Sequence, residues 1–210
     1  MTENSAKIAA VSAGVVTVGM IAAVFWMGNA RNTDDAFADC RGGQVGGGTI
    51  GGAFTLVDET GKTVTDKEVL ATPALVYFGY AFCPDVCPLD NARNAEATDI
   101  LEENGHEVTP IFITIDPERD TPDVLADYTA NLHPRMIGLT GTPQAVAAAA
   151  RAYRVVAQKQ PDGDSDYYLM SHTTLTYLML PDVGFVDFFH RDTPATVVAD
   201  RAACYLDAQT

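Results

Sequence analysis

The stretch "PALVYFGYAFCPDVCP", residues 73–88, constrains the fold more than any other part of the chain. Its first half is a continuous apolar run of β-branched and aromatic side chains bounded by Pro73 and Gly79. A strand with one face in water alternates apolar with polar residues, so an unbroken run predicts a central strand covered on both faces. Directly after it come Cys83 and Cys87, three residues between them and each followed by a proline. A residue before proline is pushed out of the α region, and Pro88 would break a helix already under way but fits a helix's first turn. Both sulfurs are therefore expected on a turn leading into a helix. The partial positive charge and exposed N–H groups at such an end favour thiolate over thiol.

A second buried strand is expected at "VTPIFITI" (108–115), and the stretch between the two reads as a helix ending at "EENG" (102–105), whose glycine is a good stop. A right-handed crossover makes these two strands parallel. Upstream, "FTLVDETGKTVT" places a D-E-T-G turn between short extended pieces, a hairpin pattern. Downstream, "TPDVLADYTANL" (121–132) and "TPQAVAAAARAY" (142–153) each open on a Thr-Pro pair suited to N-cap and first helical position. "TTLTYLML" and "GFVDFF" flank a P-D-V-G turn as an antiparallel hairpin, and "TPATVVADRAACYLD" closes the chain as a helix. The predicted class is α/β, a mixed central sheet flanked by helices, over residues 49–210.

Ahead of that domain, "IAAVSAGVVTVGMIAAVFWM" (8–27) contains no charged side chain. At ~1.5 Å per helical residue it reaches ~30 Å, the thickness of a bilayer's hydrocarbon core. It reads as an N-terminal transmembrane helix, with Trp26 suited to the interface. A cleavable signal peptide is the rival reading, since "GNA" (28–30) and "AFA" (36–38) resemble cleavage sites, but its apolar region is usually only ~7–15 residues long. Lys7 and the terminal amine nearly balance Arg31 and Arg41, and the short leading tail makes N-in, C-out the ordinary arrangement. The expected organisation is a cytoplasmic tail (1–7), a membrane anchor (8–27), a polar tether (28–48) and the 49–210 domain on the periplasmic side of a bacterial inner membrane. No Arg- and Ser-rich transit peptide is seen. With 28 acidic against 13 basic side chains the net charge is −15, so no nucleic-acid partner is expected.

Two thiolates three residues apart can close a disulfide if their Cα atoms come within ~7 Å, or can open to hold one soft ion such as Cu(I), which also accepts imidazole nitrogen. Of the four histidines, His106 in "NGHEV" and His133 in "NLHPR" have structural explanations, and His190 follows a strand end. His172, in "YYLMSHTTLTYL", follows a polar loop and stands at the start of a strand. Its neighbour Met170 reads as core. The acid-rich "DPERDTP" (116–122) reads as a loop whose Asp and Thr groups cap backbone, with Arg119 paired to a neighbouring acid. Cys40 and Cys204 remain. In an oxidising envelope they suggest a disulfide stapling the tether to the last helix, or else Cys40 pairs between molecules or takes part in redox exchange.

A cysteine pair directly after the first long buried strand resembles thioredoxin-like domains. The segments "GGAFTLVDETGKTVTD", "LVYFGYAFCPDVCP", "TIDPERDTP", "IGLTGTP" and "SHTTLTYLMLPDVGFVDFF" together resemble the Sco/SenC family of membrane-anchored copper proteins involved in cytochrome c oxidase assembly, over roughly residues 49–206. The resemblance implies one copper ion, Cu(I) or Cu(II), held by Cys83, Cys87 and His172 and delivered to the CuA centre of the oxidase. The implied partners are the copper-receiving oxidase subunit, the membrane, and an upstream copper donor or thiol reductant. Family members commonly carry Asp before this histidine and Ser after it, whereas here the chain reads Ser171-His172-Thr173, which leaves open what orients the imidazole. The alternatives are a thiol-disulfide oxidoreductase with Cys83 and Cys87 catalytic, reducing the recipient's copper-ligand cysteines, and a copper-linked redox sensor. A peroxiredoxin-type peroxidase fits worse, having no clear need for both Cys87 and His172.

Overall fold

The computed structural model describes residues 20, 24, 36–41, 49–160 and 167–209. The expected tail and anchor lie outside the described residues apart from Met20 and Val24, and the expected tether apart from 36–41. Among the described residues no helix is long and apolar enough to cross a membrane.

The first hairpin forms as its turn chemistry demands. Strands β1 (Thr55–Asp58) and β2 (Thr63–Thr65) pair antiparallel. Between them the Asp58 carboxylate accepts from the Thr60 and Lys62 amides at 2.9 and 3.0 Å, and Gly61 takes φ +83°. Helix α1 (Asp66–Val69) follows, opened by a Thr65–Glu68 capping box. The apolar run then becomes β3 (Ala74–Gly79), every residue of it buried. Helix α2 (Val86–Glu103) returns the chain antiparallel to β3 and stops as predicted. Gly105 takes φ +85°, and the amides of Gly105 and His106 donate to the carbonyls of Glu102 and Leu101. Strand β4 (Thr109–Thr114) pairs parallel with β3.

Helices α3 (Pro122–Ala130) and α4 (Pro143–Ala152) begin at the two Thr-Pro pairs, where Thr121 and Thr142 accept from the amides of Val124 and Ala145. Between them lies β5 (Ile137–Thr140), a strand the sequence reading passed over because its four residues carry one glycine and no alternation. It pairs parallel with β4 and antiparallel with β1, so it joins the first hairpin to the rest of the sheet. Also unforeseen is a ribbon outside the main sheet, β6 (Ala157–Lys159) against β7 (Met170–His172). The closing hairpin of β8 (Thr176–Leu180) and β9 (Gly184–Phe189), and helix α5 (Ala195–Asp207), are where they were expected.

The sheet runs β2-β1-β5-β4-β3-β8-β9, mixed in direction. Its β4-β3-β8-β9 portion with α2 and α5 belongs to the thioredoxin-like core, and α3, β5, α4 and the ribbon lie between β4 and β8 along the chain. The arrangement leaves the C-terminal end of β3 facing the ribbon's last residue.

Cys40 is buried and bonded to Cys204 on α5, with Cα atoms 5.6 Å apart. The described residues from Cys40 onward belong to one compact unit. The bond closes a separation of 164 residues in the unfolded chain. In the folded chain it closes only about 15, from Cys40 to the start of β1 at Thr55, so loop entropy predicts a net contribution of about 2 kcal/mol. The paired Cys40→Ser, Cys204→Ser variant is expected to lose about that much in denaturant unfolding, and unchanged stability would mean the bond restrains nothing in the unfolded chain.

Candidate metal centre

Strand β3 ends in a residue without a side chain, and that absence makes room for sulfur. A Cβ built on Gly79 would lie 3.0 Å from Cys87 Sγ, 2.9 Å from Tyr77 Cε1 and 3.0 Å from Phe112 Cε2. Beyond Gly79 the chain turns. The Cys83 amide donates to the Tyr80 carbonyl at 3.1 Å, and the Ala81 amide donates to the buried Asp120 carboxylate at 2.9 Å. Asp120 also accepts from the Thr114 hydroxyl at 2.6 Å, so the second aspartate of "DPERD" buttresses the cysteine turn.

The two cysteines do not share one setting. Cys83 lies on the turn as expected, but Cys87 is the second residue of α2, which corrects the expectation that both lie off the helix. Proline at position 88 is compatible with this because the first-turn amides have no intrahelical acceptor to lose. The Cys83 sulfur accepts from the Cys87 amide at 3.4 Å and so occupies the helix's N-terminal end. Burial alone would raise its pKa, but the Cys87 thiol and the amides of Asp85, Cys87 and Val86 outweigh that and hold Cys83 below the ordinary thiol value. Cys87, fully buried, is pushed the other way, first by burial and then by its hydrogen bond to Cys83. The expected thiolate preference is thus met at Cys83 and reversed at Cys87.

His172 reaches the pair from the end of β7. Its Nε2 lies 3.4 Å from Cys87 Sγ, and the ring meets Tyr77 and Tyr80 edge-on at centroid distances of 6.1 and 6.0 Å. Nδ1 lies 2.9 Å from the Thr173 carbonyl, which can only accept, so Nδ1 carries the hydrogen and Nε2 presents its lone pair to the sulfurs. The next residue's backbone therefore orients the imidazole, a task for which Ser171 offers no carboxylate. Burial holds the His172 pKa below the ordinary value, against the Thr173 carbonyl and Asp90, and this favours the neutral ligand form. The Tyr80 hydroxyl accepts from the Met170 amide at 3.3 Å and ties the ribbon to the cysteine turn.

The donor atoms of Cys83, Cys87 and His172 all lie within 4.8 Å of one another. Bond lengths of ~2.3 Å to sulfur and ~2.0 Å to nitrogen in a trigonal site imply donor separations of ~3.7–4.0 Å, so this set can hold one soft ion with small side-chain shifts. None of the other candidates joins it. His133 bridges the Asp99 carboxylate and the Arg135 amide, and His106 faces Asp207. His190 is exposed, and Met170 packs against the core. In "DPERD", Arg119 bonds Asp116 at 2.5 Å and Tyr168 donates to the same carboxylate at 2.7 Å, the structural role expected. Sequence reasoning missed Gly79, Tyr77, Asp90 and Asp120. Asp90 left a signal, standing one helical turn beyond Cys87 on the same face, and Asp120 left another as an acid of the loop "DPERDTP", read as capping backbone.

Asp120 carries a pH prediction. Burial, above all, raises its pKa to about 6, against hydrogen bonds from Thr114 and Ala81. The folded state therefore holds this proton more tightly than the unfolded chain, where the value is 3.8. The contribution is fully present below about pH 4, is lost as pH rises through about 6, and is on the order of 3 kcal/mol. Asp120→Asn is expected to flatten that part of the stability profile in denaturant unfolding, and an unchanged slope would assign it to other groups.

The SCO1/SenC family model matches residues 43–207. Protein SenC of Rhodobacter capsulatus is 50% identical over 209 residues, covering 99% of this chain and 93% of its own length. The mitochondrial SCO1 homolog 1 of Arabidopsis thaliana is 41% identical over 161 residues, 76% of this chain but 48% of the relative, so the chain spans about half of that protein. Among solved structures, the fold is similar to Arabidopsis thaliana ScoI with copper bound, at TM-score 0.72 and 39% identity, over 77% of this chain and 100% of that one. Bradyrhizobium japonicum ScoI with copper bound gives TM-score 0.66 and 40% identity over 77% and 98%.

Proposed function

Because the chain belongs to the SCO1/SenC family, we propose that it is a copper-binding chaperone of cytochrome c oxidase assembly in which Cys83, Cys87 and His172 hold one copper ion for transfer to the CuA centre. The observation that carries this reading is the convergence of two sulfurs and one imidazole nitrogen within 4.8 Å on three separately supported segments. Two thiolates and a neutral imidazole form a soft, low-coordinate set that suits Cu(I) and leaves room for an incoming thiolate from a recipient. The solved copper-bound relatives support copper as the ion. The apolar run at 8–27 supports a membrane-anchored arrangement, with a short tail at 1–7, a tether at 28–48 and the 49–210 domain facing the bacterial envelope, beside a membrane-bound recipient.

The second reading, a thiol-disulfide oxidoreductase, is favoured by one observation, the unequal pair of a Cys83 thiol held low and a Cys87 thiol held high. The two readings separate on transfer. Full-length, reduced, copper-loaded protein is mixed with a metal-free, reduced CuA domain, and the absorption of an assembled CuA centre is followed. The chaperone reading expects transfer to a recipient whose cysteines are already reduced. If copper stays on the donor, and metal-free protein instead reduces a disulfide-bonded CuA domain, the reductase reading stands in its place.

A further inference from the structure

His172 stands at the end of a ribbon that lies outside the main sheet, so contacts other than sheet pairing must fix it against the cysteine turn. One such link is the Tyr80 hydroxyl, which accepts from the Met170 amide. A second runs through Arg119. Its guanidinium carbon lies 3.6 Å from the centroid of the Tyr168 ring, just ahead of β7, and Nη1 donates to the Tyr168 carbonyl at 3.0 Å. The same carbon lies 4.9 Å from the Phe82 ring centroid and 5.6 Å from that of Tyr80, and Phe82 immediately precedes Cys83. One planar cation thus touches both the segment that carries the first sulfur and the segment that leads to the imidazole.

The contacts continue on either side. Lys159 Nζ, on β6, lies 3.4 Å from the Tyr168 centroid, on the face away from Arg119 because two cations at such distances cannot share one face. Asp116 accepts from Arg119 Nε and from the Tyr168 hydroxyl, and so holds the cation and the ring in one arrangement. The Phe82 and Tyr167 rings also meet, at 6.1 Å between centroids. The series Lys159, Tyr168, Arg119, Phe82 therefore runs unbroken from the ribbon to the cysteine turn.

An ion pair with Asp116 alone would need none of this, and lysine would serve for it. A guanidinium can stack its face on rings while its edge donates in plane, which an ammonium cannot do. We propose that Arg119 is a positioning residue of the copper site, pinning the ribbon that carries His172 to the turn that carries Cys83 and acting on copper through His172. This rests on the copper reading above.

Two variants of the full-length protein test it. Arg119→Lys keeps a charge beside Asp116 and loses the stacking plane, and Phe82→Leu removes the ring at the other end from an exposed position. Copper affinity is measured by competition with a chromophoric Cu(I) chelator, for each variant alone and combined with His172→Ala. Arg119→Lys is expected to weaken binding about tenfold when His172 is present, as for groups that orient a metal ligand. In the His172→Ala background it is expected to change affinity by less than about twofold, because a ribbon without its ligand has nothing to deliver. Phe82→Leu is expected to follow the same pattern with a smaller loss. In the metal-free protein, Arg119→Lys is expected to speed amide hydrogen exchange at Met170 about tenfold and to leave α5 unchanged.

A loss of affinity that persists without His172 overturns the inference, since it would reach copper by another route. Unchanged affinity, or unchanged exchange at Met170, overturns it as well. If circular dichroism shows that Arg119→Lys does not fold, Phe82→Leu decides by the same two comparisons. If the unaltered protein binds no copper, the copper reading fails, and exchange at Met170 tells separately whether Arg119 holds the ribbon.

Discussion

Replacing His172 with alanine is expected to lower copper affinity at least a hundredfold while the domain stays folded. Disturbing only the groups that orient a metal ligand typically costs 10–100-fold, so deleting the ligand itself sets that as the lower bound. The fold is expected to survive because His172 ends the short ribbon strand β7, outside the seven-stranded sheet, and touches Tyr77 and Tyr80 only edge-on. Competition of the full-length protein with a chromophoric copper chelator measures the affinity, and circular dichroism checks the fold. Equal affinity and stoichiometry in the two proteins would remove the three-ligand site. Loss of copper with dithiol activity retained would show that one pair of cysteines serves both metal and disulfide chemistry, since a reductase has no need of the imidazole.

Gly79→Ala is expected to damage stability and copper binding together. Glycine's backbone freedom is not the reason, because Gly79 is not among the residues with positive φ. Its value is the space it leaves: the added carbon would approach the Cys87 sulfur, the Tyr77 ring and the Phe112 ring at 2.9–3.0 Å, closer than real contacts allow. Tyr77, Phe112 and Cys87 are all fully buried, so none can retreat freely and part of the displacement falls on the sulfur. Overpacking of this kind costs about 1–3 kcal/mol. A sulfur displaced by some tenths of an ångström from two fixed partners should weaken copper binding by about tenfold or more. Gly61→Ala is the control. Gly61 has φ +83° and nothing within 4 Å, so alanine there strains the backbone by about 1 kcal/mol far from the sulfurs. Denaturant unfolding and copper competition should show Gly61→Ala losing stability alone. If Gly79→Ala keeps full affinity, the sulfur's position does not depend on that space.

Most of the sheet was legible locally. The β3 and β4 runs are apolar without alternation, the helices carry Thr-Pro starts and a Gly stop, and both outer hairpins have turn residues that dictate their geometry. Strand β5 was illegible because "IGLT" is too short to display a period, and it is a strand only because β1 and β4 offer it hydrogen bonds from both sides. The β6–β7 ribbon was hidden for the same reason, its Ala157–Lys159 strand being exposed and without an apolar pattern.

What the sequence determined by itself was which chemistry was available: two cysteines after a buried strand, prolines that restrict where a helix can begin, a small set of histidines, and, through family resemblance, which of them completes the set. Adjacency and protonation were decided only by the tertiary structure. Spacing along a chain does not say that residue 172 meets residue 87 across a ribbon and a sheet. Nor does it say that the same helix end lowers one sulfur's pKa while burial raises the other's. Local geometry follows from each residue's own backbone and neighbours, whereas burial and hydrogen-bond partners depend on groups that only folding brings together.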